Sequence, residues 1–261
     1  MSYRRRVALH HAADPAASVT LASVLGSLSI DLLAAFLVVA LSAVATHLLQ
    51  LLPSRRLWRL SGRSKLVICA AQSTTSETGK YIRPATGIGQ LRALATIAPS
   101  LSRAYGSLSE ASIVLPSTMH GSYHELDIVS LGSSKNNRVT ADILRSLADQ
   151  GMPVPYSEAS TLLWPARSSI RYEAETIEGE VVRDYGIVLR AVSPYRPDRT
   201  VVILAGASTF GTAAAARYFV ESCTFVRGNF AAIVSAVVRD AYVLAPVLVE
   251  MMRLPEPAKP R

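Results

Sequence analysis

Between Leu32 and Leu52 the chain carries no formally charged residue, and only Thr46, His47 and Gln50 are conspicuously polar. A helix rising about 1.5 Å per residue carries such a run across roughly 30 Å, the thickness of a bilayer's hydrocarbon core. With Asp31 allowed near one interface, the apolar pattern reaches back to Leu21 and predicts one transmembrane helix over residues 21–52. A signal peptide would need a shorter apolar region, about 7–15 residues, ending at a small-residue cleavage site. The run here is longer, starts late and leads into Pro53-Ser-Arg-Arg. A buried helix of a soluble protein is the other reading, and so long a run with so few polar breaks disfavours it.

The flanks suggest an orientation. Arg55, Arg56, Arg59, Arg63 and Lys65 follow the run closely, whereas Arg4, Arg5 and Arg6 lie well before it. The denser, nearer cluster is expected to stay cytoplasmic. That predicts a single-pass protein of the cell inner membrane with its main domain in the cytoplasm, although the Arg4–Arg6 triplet pulls the other way. Trp58 is expected among the headgroups. The net charge of +8 is concentrated at these flanks. Anionic lipid at the Arg55–Lys65 segment is therefore the expected partner, and the basic–aromatic interleaving of a nucleic-acid interface is missing. Cys69 and Cys223 are the two cysteines, both in or beside apolar elements and without a CxxC. That pattern fits a reducing compartment and predicts no metal site. No cofactor motif is complete.

After the membrane segment, residues 53–64 read as a basic juxtamembrane linker and residues 65–255 as one domain. Residues 1–20 are expected to be a disordered N-terminus and 256–261 a tail, with the proline-bearing stretch from Met251 loose. The clearest unit within the domain runs from Leu126 to Asp149. An apolar run, Ile128 to Leu131, breaks at Gly132 into Gly132-Ser-Ser-Lys-Asn-Asn137, and Ile143, Leu144 and Leu147 then recur on one helical face. Strand, tight loop and helix in that order are the building block of α/β nucleotide-binding domains. Lys65–Ala71, Ala111–Leu115 and Thr200–Ala205 read as further buried strands. Gln90–Tyr105 and Thr212–Ser222 read as helices, and Met152–Pro165 as an irregular connection. Ser169–Glu175 and Glu180–Val192 alternate and suggest an antiparallel pair turning at Glu178-Gly179, and Phe230–Val238 and Tyr242–Val249 read as closing strands. The fold class expected is α/β: an open, mostly parallel Rossmann-like sheet with an antiparallel extension, preceded by one transmembrane helix.

Three loops fall at the expected carboxyl ends of strands: Gln72–Gly89, Gly132–Asn137 and Gly206–Gly211. Open α/β sheets bind ligands there. Two of the loops run straight into helices, whose first N–H groups and partial positive charge favour an anion. The residues expected to bind ligand are Gly87, Gly89, Gly132, Ser133, Ser134, Lys135, Asn136, Gly206, Ser208, Thr209, Gly211 and Thr212. One of Asn136 and Asn137 is expected to cap the helix, leaving the other for the crevice. Neither a Walker pattern nor a complete G-x-G-x-x-G is present, since Arg92 stands where the third glycine belongs. Gly206-Ala-Ser208-Thr-Phe-Gly211 approaches a nucleophile elbow but spaces its second glycine one position too far. His120 and His124, with Asp127, are candidates for a base and its orienting carboxylate. Glu77, Glu125 and Asp127 are the catalytic candidates for cleavage of an N-glycosidic bond, with Tyr81 and Arg83 beside Glu77 as sugar-phosphate contacts.

The succession LVICAAQS, TGKYIRPATGIGQLRAL, LDIVSLGSSKNNRVT and DYGIVLR…VVILAGASTFGTAAAARYF resembles a class of bacterial Rossmann-like domains similar to the SLOG and nucleoside-deoxyribosyltransferase-like superfamilies. The resemblance spans about residues 65–250. It implies a domain that senses or processes a nucleotide-like small molecule and, on a membrane helix, a signalling or defence module; a homo-oligomer, with binding coupled to self-association, is expected as well. The chain departs from the pattern at Gly132-Ser133, where a glycine pair is more typical, and no glutamate matches a catalytic position. Three function classes follow: a nucleotide-like ligand sensor, an enzyme cleaving the N-glycosidic bond of a nucleotide or NAD, and a membrane scaffold without ligand.

Overall fold

A computed structural model of the chain describes residues 15–60, 66–78, 81–105, 112–158, 160–165 and 170–256. Two compact units divide at residues 49 and 50. The expectations for residues 1–14, for Arg63 and Lys65 and for residues 257–261 lie outside the described residues.

The first helix, α1 (Pro15–Trp58), has a stretch beginning at Leu32 that is long and apolar enough to cross a membrane, with a mean hydropathy of 2.4. Its side chains from Leu32 to Val39 are exposed. It begins before the apolar run, so that residues 15–20, expected to be disordered, are helical, and it ends after the run, at Trp58. The second unit takes in the last turns of α1. Trp58, expected at the headgroups, is instead fully buried in the domain core; its indole Nε1 donates to Ser100 Oγ at 3.0 Å and its ring meets Phe219 edge-on. The stretch read as a linker thus contributes core: Leu57 is buried beside Trp58.

The domain continues with β1 (Leu66–Ala70), a hairpin of β2 (Thr74–Thr78) and β3 (Tyr81–Ala85), α2 (Ile88–Tyr105) and β4 (Ser112–Val114). Then come β5 (Asp127–Leu131), α3 (Arg138–Asp149), and three short strands, β6 (Tyr156–Glu158), β7 (Thr161–Leu163) and β8 (Arg171–Glu173). It finishes with β9 (Glu175–Ile177), β10 (Glu180–Val192), β11 (Thr200–Gly206), α4 (Thr209–Ser222), β12 (Phe230–Arg239), β13 (Tyr242–Val243) and β14 (Val247–Arg253). The main sheet is mixed, in the order β13-β12-β10-β11-β5-β1-β4. The run β4-β1-β5-β11 is parallel, and β10, β12, β9, β13 and β14 extend it antiparallel.

Alternation along the parallel strands feeds two cores. Val67, Cys69, Val201 and Ile203 face the layer that holds Ile143, Leu144 and Leu147 of α3. Ile68, Val202 and Leu204 face Ile97 and Leu101 of α2, Phe219 of α4, and Leu57 and Trp58. Both faces are covered, which is why these strands read as continuous apolar runs. The chain leaves β1 toward β4 over one face and leaves β5 toward β11 over the other. The carboxyl ends of β1 and β5 therefore flank a crevice of the kind open α/β sheets provide.

Three expectations need correction. The strand expected at Ser169–Glu175 is split, β8 joining β6 and β7 in a separate sheet while β9 turns through Glu178-Gly179 into β10. The connection Met152–Pro165 holds β6 and β7. The segment from Met251, expected to be loose, is the end of β14 up to Arg253, paired with β12.

Candidate functional site

The loops after β1, β5 and β11 meet around one cavity of about 430 Å³. Their convergence follows from register. Leu131 pairs with Ala70 and with Leu204, so the three strands end side by side, and the Gly132 amide donates to Leu204 O at 2.8 Å. Gly132 itself has φ +106°, a left-handed turn that brings it onto Ala71; a Cβ there would lie 2.5 Å from the Ala71 Cβ. Of the residues expected to bind ligand, Gly87, Ser133, Lys135, Asn136, Gly206, Ser208, Thr209 and Thr212 line the cavity. Ser73, Gln90 and Ser160 line it as well. Gly89, Gly132, Ser134 and Gly211 do not appear on its wall.

The helix N-termini at this rim are already occupied. Asn137 is the cap of α3: its Oδ1 accepts from the amides of Val139 (3.1 Å) and Thr140 (3.3 Å). Its Nδ2 donates to Cys69 O, Ser130 Oγ and Leu131 O at 3.3, 3.0 and 3.1 Å. The side chain is fully buried, so one amide fastens the helix start to both strands beneath it. The neighbouring thiol of Cys69 is pushed up to about 12, chiefly by burial. Asn136 is left exposed on the cavity, its own carbonyl accepting from Gln72 N at 3.0 Å.

At α4 the occupant is Asp184, a fully buried carboxylate on β10. It accepts from the amides of Tyr185 (2.8 Å), Ser208 (3.2 Å) and Gly211, and from Ser208 Oγ. Ser208 caps the helix in turn, its Oγ accepting from Phe210 N. Burial nevertheless holds the Asp184 carboxyl above the ordinary carboxylate range, against those four donors. The anion that α4's dipole attracts is thus the protein's own. This corrects the expectation that Ser208 and Gly211 are free to hold a ligand phosphate.

The glycines around α4 serve close packing. A Cβ on Gly211 would lie 2.0 Å from Tyr185 O, and one on Gly89 would lie 1.9 Å from Thr209 O. The Gly89 amide donates to Thr209 Oγ1 at 2.9 Å, tying α2 to α4 at the cavity rim. Ser134 is likewise engaged, donating to Ser157 O at 2.9 Å.

What remains for a ligand is a hydroxyl-rich wall with a single cation. Among its described lining residues Lys135 carries the sole formal charge and no carboxylate appears. Gln90, in the first turn of α2, is 7% exposed, and its buried Oε1 has no hydrogen-bond partner among the described residues. A buried acceptor without a donor costs about 1–3 kcal/mol. Gln90 lines the cavity, and a rotation of its side-chain amide that turned Oε1 toward a donor held there would recover that cost.

Two of the candidate catalytic carboxylates, Glu125 and Asp127, are not brought here. Asp127 opens β5 and Glu125 precedes it, so both lie at the strand end away from the cavity, roughly 15 Å off at the rise of a strand. Asp127 Oδ1 accepts from Thr200 N at 2.8 Å, and Glu125 is exposed and paired with Arg196. His124 lies at that same far end, stacked on Tyr195 of the β10–β11 turn, and His120 is stacked on Tyr123; neither lines the cavity beside Ser208. Glu77 is on β2, opposite Ile82 of β3 in the hairpin.

Sequence reasoning missed Gln90, Ser73, Ser160 and Asp184. Gln90 adjoins the Gly87-Ile-Gly89 motif and so was within reach. Asp184, between Arg183 and Tyr185 on a central strand, was signalled only by its polarity. No family model matches the chain, and no curated protein matches it.

Proposed function

We propose that this chain is a single-pass membrane protein whose Rossmann-like domain senses a nucleotide-like ligand in the crevice beyond β1, β5 and β11. The observation that carries the reading is Gln90, whose buried Oε1 has no partner among the described residues and which lines a cavity where loops from three parallel strands meet. Its complement is a donor, such as a sugar hydroxyl or a base N–H. Ser73, Ser133 and Thr209 add hydroxyls, and Lys135 supplies a charge for a phosphate. A cavity of about 430 Å³ falls within the size range of small-molecule sites.

The apolar stretch of α1 is the anchor, and Arg55, Arg56 and Arg59 keep the domain on the cytoplasmic side of an inner membrane, near anionic lipid. Ligand occupancy is read out through self-association or a signalling partner. A wall without carboxylates among its described residues favours binding over cleavage of an N-glycosidic bond.

Melting of the purified full chain in detergent against a panel of nucleosides, nucleotides and NAD tests the reading. A true ligand at about 100 times its Kd adds about 2.7 kcal/mol of stability. Release of base or nicotinamide from any panel member would move the assignment to the enzyme class. No shift across the panel would leave only the scaffold.

A further inference from the structure

A second cavity, also of about 430 Å³, opens where the end of α1 meets the turn between α4 and β12. Arg56, Arg59 and Arg227 line it together with Thr224 and Phe225, and no carboxylate is among the described lining residues. Among the described residues none of these three guanidinium groups has an ion pair. Phe225 is 86% exposed, more than any other large apolar side chain described in the chain.

That exposure is held in place. The turn is closed by Val226 N donating to Cys223 O at 3.1 Å. Arg190, 1% exposed on β10, donates to Val226 O and to Gly228 O (2.6 and 2.9 Å) and, from its other nitrogen, to Leu57 O at the end of α1. One buried guanidinium therefore ties the turn to the helix end, and three cations separated by up to 171 positions in sequence share a rim. Phe225 projects from a fixed turn into solvent, which is a large apolar cost in water. Arg56 follows Leu52 by four residues in the sequence, so the rim includes a residue that comes directly after the apolar run.

We infer that this rim is a lipid-headgroup site: Arg56, Arg59 and Arg227 take the phosphate of an anionic phospholipid while Phe225 enters the interfacial layer. Aromatic rings settle at that level, and arginines beside an anionic leaflet gain about a fivefold preference each. The inference rests on the reading that α1 crosses the bilayer, and it adds a contact from the folded domain that the basic segment after α1 does not itself contain.

The test uses the full-length Phe225→Trp variant reconstituted into vesicles of phosphatidylcholine alone or of an equimolar mixture with phosphatidylglycerol, both with brominated acyl chains. The parent protein, whose Trp58 and Trp164 are buried, gives the background. Resistance to alkaline carbonate extraction reports insertion of α1 separately. The expected result is an inserted protein whose new indole is quenched in the phosphatidylglycerol vesicles, with the docked-to-free ratio falling about fivefold on Arg227→Gln. Excess inorganic phosphate should leave the quenching in place, since the site reads a headgroup fixed at a surface. An inserted protein with no quenching, with equal quenching in both lipids, or with quenching removed by free phosphate overturns the inference while sparing the anchor. Extraction by carbonate would overturn the anchor and the lipid site together.

Discussion

Replacing Asn137 separates two explanations of why an asparagine stands there. As a helix cap alone it contributes about 1 kcal/mol, and Asp would serve equally well. In the structure its amide also donates to Cys69 O, Ser130 Oγ and Leu131 O. The two hydrogens of that amide, shared among three acceptors and worth about 0.5–1.5 kcal/mol each, bring the expected loss in Asn137→Ala to about 3 kcal/mol with the cap included. For a domain of this size that lowers Tm by about 6–12 °C. Asn137→Asp keeps the cap and adds a favourable charge at the helix N-terminus, worth about 0.3–1 kcal/mol in exposed helices. It also turns a carboxylate against two carbonyls in a fully buried site, so its loss should equal or exceed that of Ala at neutral pH. Tryptophan fluorescence melting reads both variants, because Trp58 and Trp164 are buried in the two cores. An Asp variant as stable as the parent would refute the reasoning and reduce Asn137 to a cap.

The remaining expectations concern the supports of the cavity. Gly211→Ala places a methyl 2.0 Å from Tyr185 O and should cost about 1–3 kcal/mol or more, whereas Gly121→Ala, with open space around it, should stay within about 0.5 kcal/mol by the same melt. Arg190→Met strips the donors from the carbonyls of Leu57, Val226 and Gly228 and should lower stability by about 3 kcal/mol in urea; Lys will not rescue it, because an ammonium cannot span that fork. Asp184, its pKa raised chiefly by burial, binds a proton in the folded chain at pH values where the unfolded chain has released it. Its contribution is fully present below about pH 3.9 and is lost as pH rises through the raised folded value, at no more than about 1.4 kcal/mol per pH unit. Asp184→Asn should remove that slope from a pH series of melts.

The parallel half of the sheet was legible because its signals are local. LVICA, DIVSL and TVVILAG are apolar runs ended by small or polar residues, and α3 shows its buried face as Ile143, Leu144 and Leu147. Convergence of the Gly132 and Gly206 loops also followed, since adjacent parallel strands end together. The state of the helix N-termini did not. Whether an N-terminal amide is free depends on a residue distant in sequence, and Asp184 reaches Ser208 and Gly211 only because β10 lies beside β11. Serine and glycine at such a loop look identical whether they bind a ligand or the protein's own carboxylate. Trp58 and Leu57 misled for a related reason: an amphipathic aromatic beside arginines suits a headgroup layer, and only the packing of α2 and α4 makes it core. The short strands β6, β7 and β8 carry too few residues each for a period to declare itself.

The direct measure of the central claim is the dissociation constant of the best panel ligand for the parent chain and for Gln90→Leu. Loss of a hydrogen bond to a buried amide, about 1.4 kcal/mol, corresponds to about tenfold weaker binding with the melting temperature of the free protein kept or raised. An unchanged dissociation constant in the variant, or a panel with no binder at all, would contradict it.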